Sequence, residues 1–240
     1  MKTELHPCFI LHTRPYRETS LMLDIFSSLY GRISLVAKGV KGYKHSQSSL
    51  LQPGRKLNIS WVMKKELGTM VGLEANGPVY KLTGTQLISC FYMNELLVRM
   101  LHTNENQQEL FDAYDKSIVL LHGGELEERV LRIFEKNLLQ ALGYGLNLVH
   151  ESDTGVKISE DIKYFYQADF GPIVKIPKNA KYIDVSGKTL RALHYEDYWD
   201  DDISKEAKAL LKMILDIYIG DRPIASRALY KAYLKNITPT

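Results

Sequence analysis

The chain has 240 residues, 45% of them apolar and 25% charged, with 31 Lys/Arg against 28 Asp/Glu and a formal net charge of +3. That length suits one large domain or two smaller ones with a good buried core, and the composition is that of a soluble globular protein rather than a disordered or fibrous one. Two cysteines, Cys8 and Cys90, exclude a disulfide framework, and without a CxxC pair a reducing compartment is the default. No apolar run approaches the roughly 18 residues that span a bilayer. MKTELHP lacks a signal peptide's apolar region, so a cytosolic chain with no membrane partner is expected.

The charge is unevenly distributed. Residues 1–80 hold 11 Lys/Arg and 5 Asp/Glu, and the remaining 160 hold 20 and 23. Such asymmetry points to a division of labour along the chain.

Strand periodicity runs through the first 75 or so residues. CFILHT opens it, and in TSLMLDIFS Leu21, Leu23 and Ile25 share one face. SLYGR reads as a hairpin turn. In GRISLVAKG, Ile33, Leu35 and Ala37 fall on one side and Arg32, Ser34, Val36 and Lys38 on the other. A long Gly-, Ser-, Gln- and Lys-containing loop covers 39–54. KLNISWVMK then places Leu57, Ile59, Trp61 and Met63 on one face, and GTMVGLEA closes the set. This alternation is that of half-buried strands. Five short antiparallel strands with one long basic loop predict a small barrel, an OB-fold first and an SH3-like barrel second.

Gly77-Pro78 breaks the pattern, and helical periodicity follows. Residues 84–102 are apolar nearly all round, which predicts a buried helix. Further helices are expected over 105–122 and 124–142, the latter capped by Gly143. Residues 146–185 read as a mixed insertion in which YFYQADFGPIVKIP and KYIDVS look like short strands. Ser186 and Ser204 are candidate N-caps, the second for a helix running to about Ile219, and Ser226 a candidate start for a last helix. The fold class expected is α+β. A small β-barrel (OB-fold) over 1–80 precedes a mainly α-helical domain over 81–240, which carries the short β-containing insertion at about 146–185.

Catalytic chemistry is hard to find. The seven histidines are scattered without HExxH or HxH spacing, and no GxSxG is present. SGKT at 186–189 mimics the end of a phosphate-binding loop, but Tyr182 stands where that motif needs glycine. The acidic run from Glu196 to Asp202 lacks the glycine and terminal glutamate of a calcium loop. No catalytic residue and no metal ligand is assigned, and a non-enzymatic protein is expected.

Binding chemistry is more coherent. Between residues 12 and 56 stand eight Lys/Arg and two acids. Arg32 and Lys38 share a strand face, Lys41 and Lys44 continue into the loop, and Arg14 and Arg17 flank the first turn. Spaced cations with glycines between them suit a phosphate backbone, although on charge alone an ordinary solvated basic face is the commoner explanation. Tyr16, Tyr43 and Tyr30 sit among these charges and could stack bases, the usual alternative being loop packing. Trp61 shares its face with Leu57, Ile59 and Met63 and is assigned to the core. Nothing suggests base-edge readout, so binding should tolerate any sequence. In LEERVLRIFEKNLLQALGYG, Arg129, Arg132 and Lys136 line a stripe beside the apolar one. That stripe would suit a short acidic peptide with a hydrophobic end, although on the residues alone a solvated face balanced by Glu125, Glu128 and Glu135 is the commoner explanation.

Six segments in series, FILHTRPYRETSLMLDIF, YGRISLVAKGVKG, LLQPGRKLNIS, FYMNELLVRML with ELFDAYDKSI, RIFEKNLLQALGYG and GDRPIASRALYKAYL, resemble the RecO family of bacterial recombination mediators. The likeness covers most of 8–234 and is weakest around 150–205. It implies an OB-fold joined to a helical domain, binding of single- and double-stranded DNA, annealing of complementary strands, and a cytoplasmic, nucleoid-associated location. With the partner RecR, such proteins help load RecA on DNA coated by the single-strand-binding protein SSB. By position, the resemblance makes Lys38 and Lys41 of VAKGVKG the first DNA-contact candidates and Arg14 and Arg17 of HTRPYRET the next. It makes Arg129, Arg132 and Lys136 candidates for the acidic SSB tail. Many relatives carry a four-cysteine zinc site after the ALGYG motif. Residues 146–185 here contain no cysteine, so no zinc is expected and the segment should hold itself through Tyr164, Phe165, Tyr166 and Phe170. Outside the resemblance, a generic OB-type RNA-binding module or a protein-interaction adaptor stays open.

Overall fold

A computed structural model describes residues 2–41, 46–103, 105–176 and 181–237. The first five strands, β1 (His6–Tyr16), β2 (Ser20–Ser27), β3 (Gly31–Ala37), β4 (Lys56–Lys64) and β5 (Leu67–Ala75), close into a barrel in the order β1-β2-β3-β5-β4, with β4 returning to β1. All pairings are antiparallel except β3 with β5. This is the OB-like barrel expected from the alternation. Register shifts leave Leu11 of β1 and Val71 of β5, opposite Ser60 and Trp61, as bulged residues, which add the bend a small barrel needs.

The interior holds Cys8, Ile10, Leu23, Ile25, Ile33, Leu35, Ala37, Leu57, Ile59 and a fully buried Trp61, so the faces read from the sequence point inward. Tyr30 takes the packing alternative. Its ring stands at a steep angle to Trp61 with centroids 5.4 Å apart and to His6 at the same separation, so it packs, partly buried, against the core. Gly31 follows with φ +62°, and a Cβ there would lie 2.9 Å from the His102 carbonyl, which leaves glycine as the residue that fits this turn.

Two compact units divide the chain, residues 1–123 with 223–240 and residues 124–222. In the first, α1 (Gly84–Met100), α2 (Gln108–His122) and α6 (Ala225–Ile237) accompany the barrel. One side of α1 faces the barrel and α2. There Asn94 donates to the Leu11 carbonyl at 2.9 Å and accepts from the Tyr114 hydroxyl at 2.5 Å, and Arg32 reaches the Val98 carbonyl. Phe9, Phe26, Phe111 and Tyr114 interlock beneath, with Lys56 ion-paired to Asp115 over the Phe9 and Phe111 rings. Another side of α1 faces α6. Ser226, expected to start that helix, lies just inside it. Its amide and hydroxyl and the Ala225 amide all donate to the Glu95 carboxylate at 2.8–2.9 Å.

The second unit contains α3 (Glu127–Ala141), the sheet β7-β6-β8 (Gly171–Ile173, Lys163–Gln167, Ile183–Ser186), α4 (Gly187–Tyr195) and α5 (Asp201–Ile219). Tyr164 and Tyr166 are buried in the sheet as expected, and Phe165 packs on Tyr182 at 5.2 Å. Phe170, also expected to pack, is instead half exposed in the β6–β7 turn. Ser186 caps α4, accepting from the Thr189 amide at 3.2 Å. Asp200, not Ser204, caps α5 by accepting from the Ile203 amide at 2.8 Å. Ser204 lies within the first turn and accepts from the Trp199 indole. The acidic run thus has a local purpose, because Asp200, Asp201 and Asp202 crowd the positive end of that helix.

Candidate nucleic-acid interface

At one end of the barrel the β1–β2 turn meets the residues that leave β3. Arg17 adopts a left-handed conformation with φ +52°, uncommon for a side-chain-bearing residue. Its guanidinium lies 5.3 Å from the centre of the Tyr16 ring, within cation–π range. Lys38 is exposed, Gly39 follows at φ +70° with open space where a Cβ would be, and Val40 dips back into the core. The Lys41 amide then donates to the Thr19 carbonyl at 3.0 Å and its ammonium to the Arg17 carbonyl at 3.5 Å. These bonds tie the two segments together.

Between them lies an open concavity of about 530 Å³ lined by Tyr16, Arg17, Glu18, Val36, Lys38 and Gly39. The structure therefore brings together Arg17, Lys38, Lys41 and Tyr16. Glu18 is the acid among them. Arg14 stands next to this group on the barrel exterior, exposed, with its guanidinium against the Met22 sulfur at 2.8 and 3.2 Å.

Arg32 does not join this group. It lies six residues before Lys38, about 20 Å along an extended strand, and donates from half-burial to the Val98 carbonyl at 2.5 Å in the last turn of α1. A cation there suits the negative end of that helix. Lys44 and Tyr43 lie outside the described residues.

The second stripe is engaged within its own unit. Arg129 donates to Glu125 at 3.2 Å and to the Glu196 carbonyl. Lys136 donates to the Leu193 carbonyl at 3.0 Å and the Glu196 carboxylate at 2.6 Å. Arg132 is buried against Glu135 at 2.8 Å. Glu196 sits in the left-handed conformation that ends α4, so Arg129 and Lys136 close the C-terminal end of that helix.

Other chemistry does not converge. Burial pushes the Cys8 and Cys90 thiols up to about 12, against the depressed values of reactive cysteines. Among the described residues no three His, Cys, Asp or Glu side chains gather as metal ligands. Among the described residues the buried side chains of the insertion include Leu148, Glu151, Ile158, Tyr164, Tyr166, Ile173 and Val185, and the segment has no cysteine, a donor set that does not fit a thiolate-bound zinc. Sequence reasoning missed the Tyr16–Arg17 pair and the Lys41–Thr19 tie. Pro15 ahead of the turn is the signal that could have marked them.

Family models of two regions match in order, Recombination protein O N terminal over residues 1–78 and Recombination protein O C terminal over residues 82–228. The chain belongs to the RecO family. Relatives named DNA repair protein RecO include that of Nitrosococcus oceani, 42% identical over 229 residues, 95% of this chain and 93% of the relative. Those of Cellvibrio japonicus and Nitrosospira multiformis are 38% and 36% identical, covering 96% and 97% of this chain and 98% and 96% of theirs. The RecO N-terminal match spans the barrel and its cationic end, and the RecO C-terminal match spans α1 to α5 and the start of α6.

Proposed function

We propose that this RecO-family protein is a non-enzymatic DNA-binding mediator of recombinational repair in the bacterial cytoplasm. The barrel end at Arg17, Lys38 and Lys41, with Arg14 beside it, holds single- or double-stranded DNA by its phosphates. Lys44 and Tyr43, candidates from the sequence, lie outside the described residues and add to the reading only as charge and ring in the same loop sequence. The observation that carries this reading is the convergence of exposed cations and Tyr16 on an open concavity, tied across two loops by the Lys41–Thr19 bond. A shallow surface of this kind screens phosphate repulsion and leaves base edges free, which annealing requires. With RecR as partner, the protein assists loading of RecA on SSB-coated strands. Arg32, engaged with α1, contributes support rather than direct contact.

The acidic SSB tail is assigned to the helical region. Glu196 already occupies the space between Arg129 and Lys136, so a tail docking there competes with it. Arg132 is buried and paired to Glu135 within α3, so it backs this surface and is not one of its exposed cations.

If Arg14, Arg17, Lys38 and Lys41 each neutralise one phosphate of a single strand, log K falls with log salt at a slope near −2.8, about 0.7 per phosphate. Annealing of SSB-coated complementary oligonucleotides by wild type and by Lys38→Glu/Lys41→Glu tests the reading. Weaker binding to every sequence and slower annealing are expected, and a salt-independent affinity would rule the reading out.

A further inference from the structure

The chain's charge separates by unit. The first unit carries 17 Lys/Arg and 10 Asp/Glu, and the second 14 and 18. Residues 223–240 supply three of those cations and no acid. All three, Arg227, Lys231 and Lys235, are in α6 at intervals of four, which lines them along one stripe. Arg227 is anchored, lying over the Tyr92 ring and donating to its hydroxyl at 3.3 Å, whereas Lys231 and Lys235 are exposed. The two lysines are about 6 Å apart along the axis, close to the rise of two nucleotides at about 3.4 Å each. Exposed Ala228 and Ala232 beside them leave room for a backbone to approach.

This surface is separate from the barrel end. α1 meets the barrel at Leu11 and Arg32, away from that end, and turns Asn94 and Val98 to the barrel and Tyr92, Glu95 and Arg99 to α6, about a third of a turn round. α6 runs antiparallel to α1. Its start meets Glu95, and the Tyr233 hydroxyl lies against Gly84 at the other end, just after exposed Lys81. The exposed leucines of α6, Leu229 and Leu234, fall on opposite sides of the lysine stripe. The side that carries Lys231 and Lys235 therefore presents no large apolar side chain to lay into a lipid surface.

We infer that α6 is a second polynucleotide-binding surface, which takes the phosphate backbone of another strand while the barrel end holds the first. The inference rests on the DNA-binding reading above and adds to it a means of holding two strands on one unit. The full-length Lys231→Glu/Lys235→Glu variant, with Lys231→Ala/Lys235→Ala beside it, tests it. The probes are fluorescein-labelled dT oligonucleotide for first-strand affinity, a complementary labelled pair for annealing, and phosphatidylglycerol vesicles. First-strand affinity should stay within about twofold of wild type. Annealing should slow at least tenfold with charge reversal and less with alanine, and its salt slope should become shallower by about 1.4. Unchanged annealing would overturn the inference. So would an equal loss of first-strand affinity, which would mean one continuous site, or a loss confined to vesicle binding. Lys38→Glu/Lys41→Glu serves as the separate control, since failure of that variant to weaken first-strand binding would sink the barrel reading instead.

Discussion

Glu95 is the residue on which the position of α6 depends. Its carboxylate accepts from the amides of Ala225 and Ser226 at 2.9 Å, from the Ser226 hydroxyl at 2.8 Å and from Arg99 at 2.5 Å. It thus caps a helix from outside and neutralises its positive end. Removing a cap costs about 0.5–2 kcal/mol, and hydrogen bonds to a charged group about 1.5–3 kcal/mol. Arg99 keeps a second acceptor in the Pro223 carbonyl, so Glu95→Ala should cost about 2–3 kcal/mol in all. Glu95→Gln, which keeps one acceptor oxygen, should cost about half that. Hydrogen exchange reads this locally, and the α6 amides should exchange roughly 30- to 150-fold faster in Glu95→Ala while the barrel strands change little.

The pH dependence follows from the same geometry. Burial alone would push the Glu95 carboxyl up, but the Ser226 and Ala225 amides, the Ser226 hydroxyl and Arg99 bring it below the usual range. A group depressed in the folded state contributes stability that is complete above its unfolded value, about 4.3, and is lost as pH falls through the folded value. Protection of α6 should therefore decline in acid, and Glu95→Gln should abolish that part of the decline. Unchanged α6 exchange in Glu95→Ala, or an acid limb as steep in Glu95→Gln as in wild type, would refute this account.

Three further outcomes are expected. Glu135→Ala strands Arg132 in a buried site and should cost about 3 kcal/mol in urea unfolding, whereas Arg132→Met/Glu135→Leu should cost less than the single change. Cys8 and Cys90, buried and raised to about 12, should resist Ellman's reagent at pH 8 in the native protein and titrate fully in denaturant; native labelling of either would contradict the packing. Gly39→Ala meets open space and only backbone strain, about 1 kcal/mol. Gly31→Ala, with a carbonyl 2.9 Å from the new Cβ, should cost at least twice as much by urea midpoint.

Where one physical rule acted alone, the sequence was readable. Leu23, Ile25, Ile33, Leu35, Ile59 and Trp61 are inside because a strand's side-chain period is two and one face of a small barrel must be dry. Ser186 caps α4 because a hydroxyl next to a free amide is a local matter. Reading faltered where a distant residue competed. Glu95 is 130 residues from the amide of Ala225 that it caps, and no local pattern reveals such a partner. Arg32 alternates correctly with Lys38, but helix α1 claims it. Tyr30 occupies a turn, and of the two roles open to it the ring takes packing against the core. Lys38 and Lys41 were legible as cations, while their meeting with Arg17 needed the closed barrel.

The basic stripe of α3 and the basic end of the barrel looked alike as strings of Lys and Arg, but pairing separates them. In the second unit eight Lys/Arg side chains lie within 3.5 Å of a carboxylate oxygen among the described residues. In the first unit, Arg14, Arg17, Lys38 and Lys41 have no such neighbour among the described residues, and neither do Lys231 and Lys235. A polyanion gains counterion release only from cations that are still free to meet it. It would have to break an internal pair to gain from the others, and its approach to a unit with excess acid is opposed. On the reading proposed above, polynucleotide is therefore expected on the barrel and α6 rather than on the unit with excess acid.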